Sequence, residues 1–155
     1  MPMDDVDRRI LALLQEDAAL SVAEIGGRVG LSSTPCWRRI QNLEKQGIIR
    51  KRVALLDRRA VEVPLTVFVM IRTSQHNDEW LETFAKGVAD IPEVLEFYRM
   101  SGTVDYLLRI VVPSVEAYDA VYKRLISIAD LAEVSSSFAM EEIKYTTALP
   151  LTYAG

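Results

Sequence analysis

The sequence contains only one cysteine, Cys36, and one histidine, His76, among its 155 residues. A lone cysteine forms no internal disulfide, and one cysteine with one histidine cannot supply the four ligands of a structural zinc site. The sequence also lacks an apolar run of about 18 residues, which a membrane-spanning helix requires. Residues 1–5 are acidic where a secretory or transit peptide is basic. We therefore expect a cytoplasmic protein with no metal site and no membrane partner.

Catalytic motifs are absent as well. The sequence has no Gly-x-Ser-x-Gly motif, no Cys–His pair and no two histidines at metal-ligand spacing. The glycine-rich stretch 26–30 follows no predicted strand and lacks the Lys-Ser/Thr pair of a phosphate-binding loop. Glu141 and Glu142 are neighbours on a predicted strand, where successive side chains point to opposite faces. His76 falls in a polar connection and is expected to be solvated. We expect neither an enzyme nor a bound cofactor.

Charge is distributed unevenly along the chain. Residues 1–59 hold 11 Lys/Arg and 8 Asp/Glu, a net +3, and residues 60–155 hold 7 and 14, a net −7, which gives the −4 of the whole chain. Nine of these bases and only two acids fall within 25–59, a local +7. A basic module joined to an acidic one is typical of a nucleic-acid-binding protein with a second task. A solvated basic face is the alternative on charge alone.

Three amphipathic helices are predicted in the first half of the chain, over residues 4–15, 21–30 and 31–46. A capping box at 21–24 begins the second helix, and hydroxyl side chains with Pro35 begin the third. The basic, β-prone stretch 48–56 then predicts a two-stranded wing. This order predicts a winged helix-turn-helix domain over residues 1–60, with the wing and linker at about 48–63.

The outer face of the third helix carries side chains suited to DNA. Trp37 stands beside Arg38 and amide side chains, and groups of this kind bind base edges and phosphates. The predicted DNA-contacting residues are Ser32, Ser33, Thr34, Pro35, Trp37, Arg38, Arg39, Gln41, Asn42, Arg50, Lys51 and Arg52. The last three are expected to contact phosphate. Cys36 lies on the inner face of this helix and is expected to be a small core residue, with a redox switch as the alternative.

The second half of the chain predicts a ferredoxin-like domain over residues 64–155. Strands and helices alternate as β-α-β-β-α-β. The predicted elements are a strand at 65–73, a helix at 77–91, strands at 94–100 and 105–112, a helix from 113 and a strand at 134–147. Both helices of such a domain cover one face of the sheet, so a second subunit is expected on the other face.

The fold class is therefore α+β, with double-stranded DNA and a second copy of the chain as expected partners. A two-fold dimer suits a helix-turn-helix, which reads two half-sites about 34 Å apart. The alternative function is a metabolite-binding structural oligomer whose helical module makes protein contacts.

The motifs in their order resemble the Lrp/AsnC family, the leucine-responsive or feast/famine transcription regulators of bacteria and archaea. The resemblance is carried by VGLSSTPCWRRIQNLEKQGII in the first half and by SGTVDYLLRIVV and SSSFAMEEIKYTTALPL in the second. It implies a cytoplasmic, nucleoid-associated regulator that binds DNA and responds to a small amino acid. It also implies a homodimer that assembles into tetramers or octamers.

The resemblance further implies an effector site around the Gly-x-x-Asp-Tyr loop and the last strand. The residues carried over are Met100, Ser101, Gly102, Thr103, Val104, Asp105, Tyr106, Ser136, Ser137 and Phe138. Loop N–H groups near Gly102 suit the carboxylate of an amino acid, and Asp105 suits its ammonium group. The alternative is that Gly102 makes a tight hairpin that Asp105 caps. The stretches TPCWRRI and SSSFAMEEIKYTTALPL resemble a branch associated with the detoxification of cysteine and other amino acids. Cysteine is therefore a candidate effector, and branched-chain or aromatic amino acids remain open.

Overall fold

A computed structural model describes residues 3–155, which fold as two compact units. The helical unit contains residues 3–55 and 144–155, and the sheet unit contains residues 56–143. The chain therefore returns to the helical unit at its end. The sequence prediction placed the C-terminal segment (residues 144–155) in the second domain, whereas in the structure this segment packs with the first unit.

Three helices form the helical unit: α1 (Asp5–Glu16), α2 (Val22–Val29) and α3 (Ser33–Lys45). The Asp4 side chain accepts a hydrogen bond from the Asp7 N–H, and the Asp7 carboxylate accepts one from the Asp4 N–H. Ser21 and Glu24 form the same capping box at α2, as predicted. The buried core of the unit consists of Ile10, Leu11, Ile25, Val29, Cys36, Ile40 and Leu43. The predicted helix-turn-helix order is confirmed.

Four strands and two helices form the sheet unit. In chain order they are β1 (Leu65–Arg72), α4 (Asp78–Ala89), β2 (Val94–Arg99), β3 (Tyr106–Val112), α5 (Val115–Ile128) and β4 (Glu133–Phe138). The strands lie in the order β2-β3-β1-β4, and every neighbouring pair is antiparallel. This is the ferredoxin-like arrangement, so the predicted α+β fold class is confirmed.

The two faces of the sheet differ in exposure. Val67 and Val69 of β1 are fully buried in a core that includes Phe84 of α4 and Leu125 of α5. Phe68, which lies between the two valines and points to the other face, is 38% exposed. The helices thus cover one face, and an apolar open face remains in the single chain.

The predicted two-stranded wing is wrong, because residues 48–63 contain no strand. The N–H groups of Ile48 and Ile49 both donate to the Leu43 carbonyl and close the end of α3. Residues 58–62 then form a turn, but the chain beyond it enters β1 and pairs with β3 and β4. A wing needs two strands that pair with each other. The apolar run that follows the turn is β1, which pairs within the sheet and not with residues 48–56.

The last predicted strand, 134–147, is much shorter than expected. β4 ends at Phe138, which pairs with Val67 of β1, and the Ala139 N–H donates to the Thr66 carbonyl. β1 begins only one residue earlier, at Leu65, so its ladder ends there. Within residues 3–155, no strand pairs with the β-prone residues 139–147, and they form no regular secondary structure.

Candidate functional site

A tight turn between α2 and α3 positions the outer face of α3. α2 ends at Gly30, which adopts a left-handed conformation with φ of 78°, and the Leu31 N–H donates to the Gly26 carbonyl at 2.8 Å. A Cβ atom at Gly26 would lie 2.6 Å from the Leu31 carbonyl oxygen. The close approach of the two helices in this turn therefore requires glycine at position 26.

The outer face of α3 exposes most of the predicted DNA-contacting residues. Trp37, the largest side chain on this face, is 51% exposed. The exposed members of the predicted set are Ser32, Ser33, Thr34, Pro35, Trp37, Arg38 and Asn42 on or beside α3, and Arg50, Lys51 and Arg52 after it. Gln41 is half-buried at the edge of this face.

The start of α3 differs from the sequence prediction in one respect. Ser32 occupies the N-cap position with extended backbone angles, but its side chain makes no capping hydrogen bond. The expected hydroxyl cap is therefore not formed. The N-terminus of a helix carries a partial positive charge and unpaired N–H groups, which suit a phosphate.

Arg39 does not lie with the other predicted contacts. Its Nη1 atom donates to Asp4 Oδ2 at 2.7 Å and to Asp7 Oδ1 at 2.9 Å, so it joins α3 to the beginning of α1. These bonds raise the pKa of Arg39. The pKa of Asp4 is lowered, first by the hydrogen bond from the Asp7 backbone and then by Arg39. The Arg39 side chain therefore points toward the N-terminus of α1, because the carboxylates of Asp4 and Asp7 attract it.

The basic residues after α3 are placed differently from one another. Arg50 and Lys51 are exposed in a segment without regular secondary structure. The Nη2 atom of Arg52 donates to Glu44 Oε1 at 3.0 Å. Arg52 is therefore paired with α3, a relationship that the sequence pattern did not indicate.

Cys36 lies in the core of the helical unit and is fully buried. Burial raises the pKa of its thiol, which disfavours the reactive thiolate form. The structure gives Cys36 the place of a small apolar side chain, as the sequence predicted.

The predicted effector loop is the β2–β3 hairpin of the sheet unit. Gly102 has a φ of 102°, which requires glycine at this position of the turn. The Met100 N–H donates to the Asp105 carbonyl, and the Asp105 Oδ2 atom accepts from the Thr73 N–H at 2.8 Å. Asp105 therefore ties the hairpin to the end of β1. Gly102 and Asp105 therefore have structural roles in this hairpin, similar to the alternative in which Gly102 makes a tight turn that Asp105 caps. One oxygen of the Asp105 carboxylate, Oδ2, is occupied by the bond to Thr73.

A polar cavity of about 330 Å³ opens beside this hairpin. Its lining residues are His76, Asn77, Asp78, Leu81, Arg99, Met100, Asp105 and Tyr106. Burial of Tyr106 raises the pKa of its phenol. Three of these residues, Met100, Asp105 and Tyr106, were predicted from the sequence, and the other five were not. His76 is exposed before α4, as expected, and the sequence did not indicate that it would line a cavity. The missed residues come from the start of α4 and the end of β2, which only the sheet topology brings to the same edge.

The β4 residues of the predicted effector site lie elsewhere. β4 and β3 flank β1 on opposite sides, about 10 Å apart for two strand spacings. Ser136 hydrogen-bonds the Tyr118 hydroxyl of α5, and the Phe138 ring meets the Tyr118 ring edge-on at 5.5 Å. Ser137 pairs with Phe68 and points to the open face. One chain therefore does not bring Ser136, Ser137 and Phe138 to the hairpin.

Across residues 3–155, no three His, Cys, Asp or Glu side chains come together as a group that could hold a metal ion. No helix within that range is both long enough and apolar enough to span a bilayer.

Comparison with known protein families gives a match to each unit. The pattern of the AsnC-type helix-turn-helix domain matches residues 3–44, and that of the Lrp/AsnC ligand binding domain matches residues 66–149. The chain is 49% identical over 150 residues to the DNA-binding transcriptional activator DecR of Escherichia coli K12, covering 96% of this chain and 99% of DecR. It is 48% identical over 149 residues to the glutamate uptake regulatory protein of Zymomonas mobilis, covering 96% and 91% of the two chains.

Solved structures give the same result. An AsnC family transcriptional regulator from Agrobacterium tumefaciens superposes with a TM-score of 0.95 at 61% identity, over 97% of this chain and 99% of that one. The transcriptional regulator NMB0573 from Neisseria meningitidis, solved as an L-Met complex, superposes with a TM-score of 0.91 at 37% identity, over 96% and 97%.

Proposed function

The chain belongs to the Lrp/AsnC family of transcriptional regulators, and from this premise we propose that it binds a two-fold operator through α3 and changes its operator binding when a small amino acid occupies the sheet unit. The family assignment gives the chain a DNA-binding helix-turn-helix domain and an amino-acid-binding domain. Its relatives are regulators, and we infer that this chain likewise catalyses no reaction and acts in the bacterial cytoplasm at the nucleoid.

The observation that supports the DNA interface best is the exposure of Trp37 beside Arg38 on α3. In the proposed complex, the outer face of α3 enters the major groove, as the second helix of a helix-turn-helix does. The residues proposed to meet bases are Ser33, Thr34, Trp37, Arg38, Gln41 and Asn42. Ser32 and Pro35 lie at the start of α3, where the helix N-terminus suits a phosphate. Arg50 and Lys51 are proposed to contact phosphate as well, whereas Arg39 has a structural role.

The test of this interface is selection of duplexes from a random DNA library by the full-length protein, followed by binding titrations on the selected duplex. Arg38→Ala is expected to weaken binding, and Lys123→Ala, which removes one exposed charge from α5, serves as its control. Because phosphate contacts release counterions, the affinity should fall steeply as salt is raised. Binding that is independent of salt and unchanged in Arg38→Ala would contradict the interface and favour protein contacts.

The cavity beside the β2–β3 hairpin suits the charged groups of an amino acid. Asp105 presents a carboxylate to it, which attracts an ammonium group, and Arg99 presents a guanidinium, which attracts a carboxylate. About 330 Å³ is at the lower end of the volumes of small-molecule sites, which suits a ligand of this size. We therefore keep Met100, Asp105 and Tyr106 as effector residues, with Ser101, Gly102, Thr103 and Val104 in the adjoining turn.

Ser136, Ser137 and Phe138 join this proposal only through another subunit. They lie across β1 from the hairpin within one chain, so a site that uses both must form between chains. The open face of the sheet, where Phe68 is 38% and Tyr98 50% exposed, is the proposed dimer surface. We propose a homodimer that assembles further to a tetramer or octamer, and light scattering with and without effector tests this assembly.

The effector itself is to be found by a thermal-shift screen of the twenty amino acids. A ligand that binds only the folded state raises its apparent stability by RT ln(1 + [L]/Kd). L-Methionine is a first candidate, because the N. meningitidis regulator is an L-Met complex. Cysteine is the second, from the resemblance to a cysteine-detoxification branch. If no amino acid shifts the transition, the sensing half of the proposal is wrong.

A further inference from the structure

Gln41 on the outer face of α3 is held by a neighbouring carboxylate. Its Nε2 atom donates to Glu44 Oε2 at 3.2 Å. The other oxygen of Glu44, Oε1, accepts from Arg52 Nη2 at 3.0 Å. The three side chains form a chain of hydrogen bonds that links α3 to the segment after it, and all three belong to the helical unit.

This contact selects one orientation of the Gln41 amide. An ionised carboxylate only accepts hydrogen bonds, so the NH₂ group of the amide must face Glu44. Rotating the amide by half a turn would place its carbonyl oxygen against the carboxylate, which brings two acceptors together. Gln41 is therefore left with one acceptor, Oε1, and one further N–H, in an arrangement that is set before any ligand arrives.

The location of Gln41 makes this arrangement relevant to DNA. Gln41 follows Arg38 by three positions and Trp37 by four, so it lies one helical turn further along the exposed face. The buried side of the same helix is formed by Cys36, Ile40 and Leu43. Under the proposed function, Gln41 faces the major groove together with Arg38.

An amide with one free acceptor and one free donor matches adenine. Adenine presents the N6 amino donor and the N7 acceptor side by side in the major groove, whereas guanine presents two acceptors, N7 and O6. The Oε1 atom of a fixed Gln41 would accept from N6, and its N–H would donate to N7. Against guanine, the same Oε1 would meet another acceptor.

We propose that Gln41 reads an adenine in each half-site, that Glu44 is the positioning residue that fixes its amide, and that Arg52 balances the charge of Glu44 near the phosphates. This inference rests on the proposed DNA interface of α3. Pre-ordering of the amide also spares part of the entropy that a free side chain loses on binding.

The test is position-resolved. The full-length wild-type protein first selects duplexes from a random library. Each adenine of the selected half-site is then replaced in turn by guanine, and binding to each duplex is titrated. At one position this change is expected to weaken binding by about 5- to 150-fold, the range of a bidentate base contact. The same titrations are made with Gln41→Ala, Glu44→Gln and the control Glu82→Gln, which removes an exposed carboxylate paired with Lys86 on α4.

Gln41→Ala is expected to lose the adenine preference at that position alone. Glu44→Gln should weaken the same preference, because an amide at position 44 can accept or donate and permits both orientations of Gln41. Glu82→Gln should retain it, and the circular dichroism spectra of all variants should match. A merely structural role of Glu44 would lower stability without moving the preference at a single base.

Two results would overturn the inference. One is an adenine preference that survives Gln41→Ala in full, and the other is one that survives Glu44→Gln in full while Gln41→Ala removes it. In both cases binding that still depends on Arg38 leaves the proposed interface intact. If the wild-type protein enriches no sequence and Arg38→Ala binds as the wild type does, the interface itself fails and the inference fails with it.

Discussion

Gln15 at the end of α1 and Leu149 in the C-terminal segment hold each other by two hydrogen bonds, although 134 positions separate them. The Leu149 N–H donates to Gln15 Oε1 at 2.7 Å, and Gln15 Nε2 donates to the Leu149 carbonyl at 3.1 Å. Leu151 packs against the three-helix core two residues later. The last residues of the chain are therefore part of the DNA-binding unit.

Removing this attachment should loosen α1. Gln15→Ala loses both bonds, and because they are exposed we expect a loss of about 1 kcal/mol in the free energy of unfolding. Deleting residues 147–155 also removes Leu151 and should cost more. Hydrogen exchange of the α1 amides measures the effect, with Gln75→Ala in the sheet unit as the control. Unchanged exchange in both the substitution and the deletion would show that the C-terminal segment does not support α1.

The turn of the helix-turn-helix gives a matched pair of substitutions. Gly26→Ala places a Cβ atom 2.6 Å from the Leu31 carbonyl oxygen, and backbone cannot move aside cheaply. We expect a loss of about 1–3 kcal/mol and weaker DNA binding. Gly27 is in the same helix with nothing within 4 Å of its Cβ position, so Gly27→Ala should stabilise the unit by up to about 1 kcal/mol. Urea denaturation measures both, and a Gly26→Ala protein as stable as Gly27→Ala would contradict the steric argument.

The sequence predicted the elements of the fold well because each has a local cause. The capping box of α2, the glycine that ends α2 and the β-branched and aromatic residues of β1 all act within a few residues. The wing and the long last strand were wrong because strand formation depends on a partner. Residues 48–56 and 139–147 have strand-like composition, but within residues 3–155 no strand pairs with them.

The site was predicted less completely for the same reason. Exposure of Trp37 follows from the helical period of α3, but the pairing of Arg39 with Asp4 and Asp7 crosses from one helix to another. The cavity beside the hairpin joins His76 to Arg99 through the order of strands in the sheet. Contacts of this kind depend on topology, which residue spacing does not contain.

A pH dependence is expected from the ion pair of Glu96 and Arg109 in the sheet unit. The hydrogen bond from Arg109 Nε at 2.7 Å lowers the pKa of Glu96 below its ordinary value of 4.5. The folded state therefore binds fewer protons than the unfolded state. The stabilisation is complete above about pH 5 and is lost as the pH falls through the lowered pKa.

Glu96→Gln should remove this contribution. The difference in unfolding free energy between wild type and variant should be under about 1 kcal/mol at pH 7, because solvent screens a half-exposed pair, and should shrink toward pH 3. Urea denaturation at several pH values measures it, and Glu82→Gln is the control. A difference that stays constant from pH 7 to pH 3 would show that the ion pair does not cause it.

Asp105 separates hairpin structure from effector binding. In Asp105→Asn the side-chain oxygen can still accept from the Thr73 N–H, so the transition temperature without ligand should change little. The negative charge offered to an ammonium group is lost, so the shift caused by the amino acid found in the screen should shrink or vanish. Asp130→Asn, in an exposed connection, should keep the shift. An unaltered shift in Asp105→Asn would remove Asp105 from the effector site.

Arg38 and Arg39 are adjacent in the sequence and should respond oppositely to substitution by alanine. Arg38→Ala should leave the urea midpoint unchanged and weaken operator binding by about 5- to 150-fold if it contacts a base. Arg39→Ala leaves Asp4 and Asp7 without their shared cation, so its urea midpoint should fall while its base preferences stay the same. Because each phosphate contact adds about one unit to the dependence of log affinity on log salt, the salt dependence should also be unchanged in Arg39→Ala. A shallower salt dependence with normal stability in that variant would return Arg39 to the DNA interface, where the residue pattern alone had placed it.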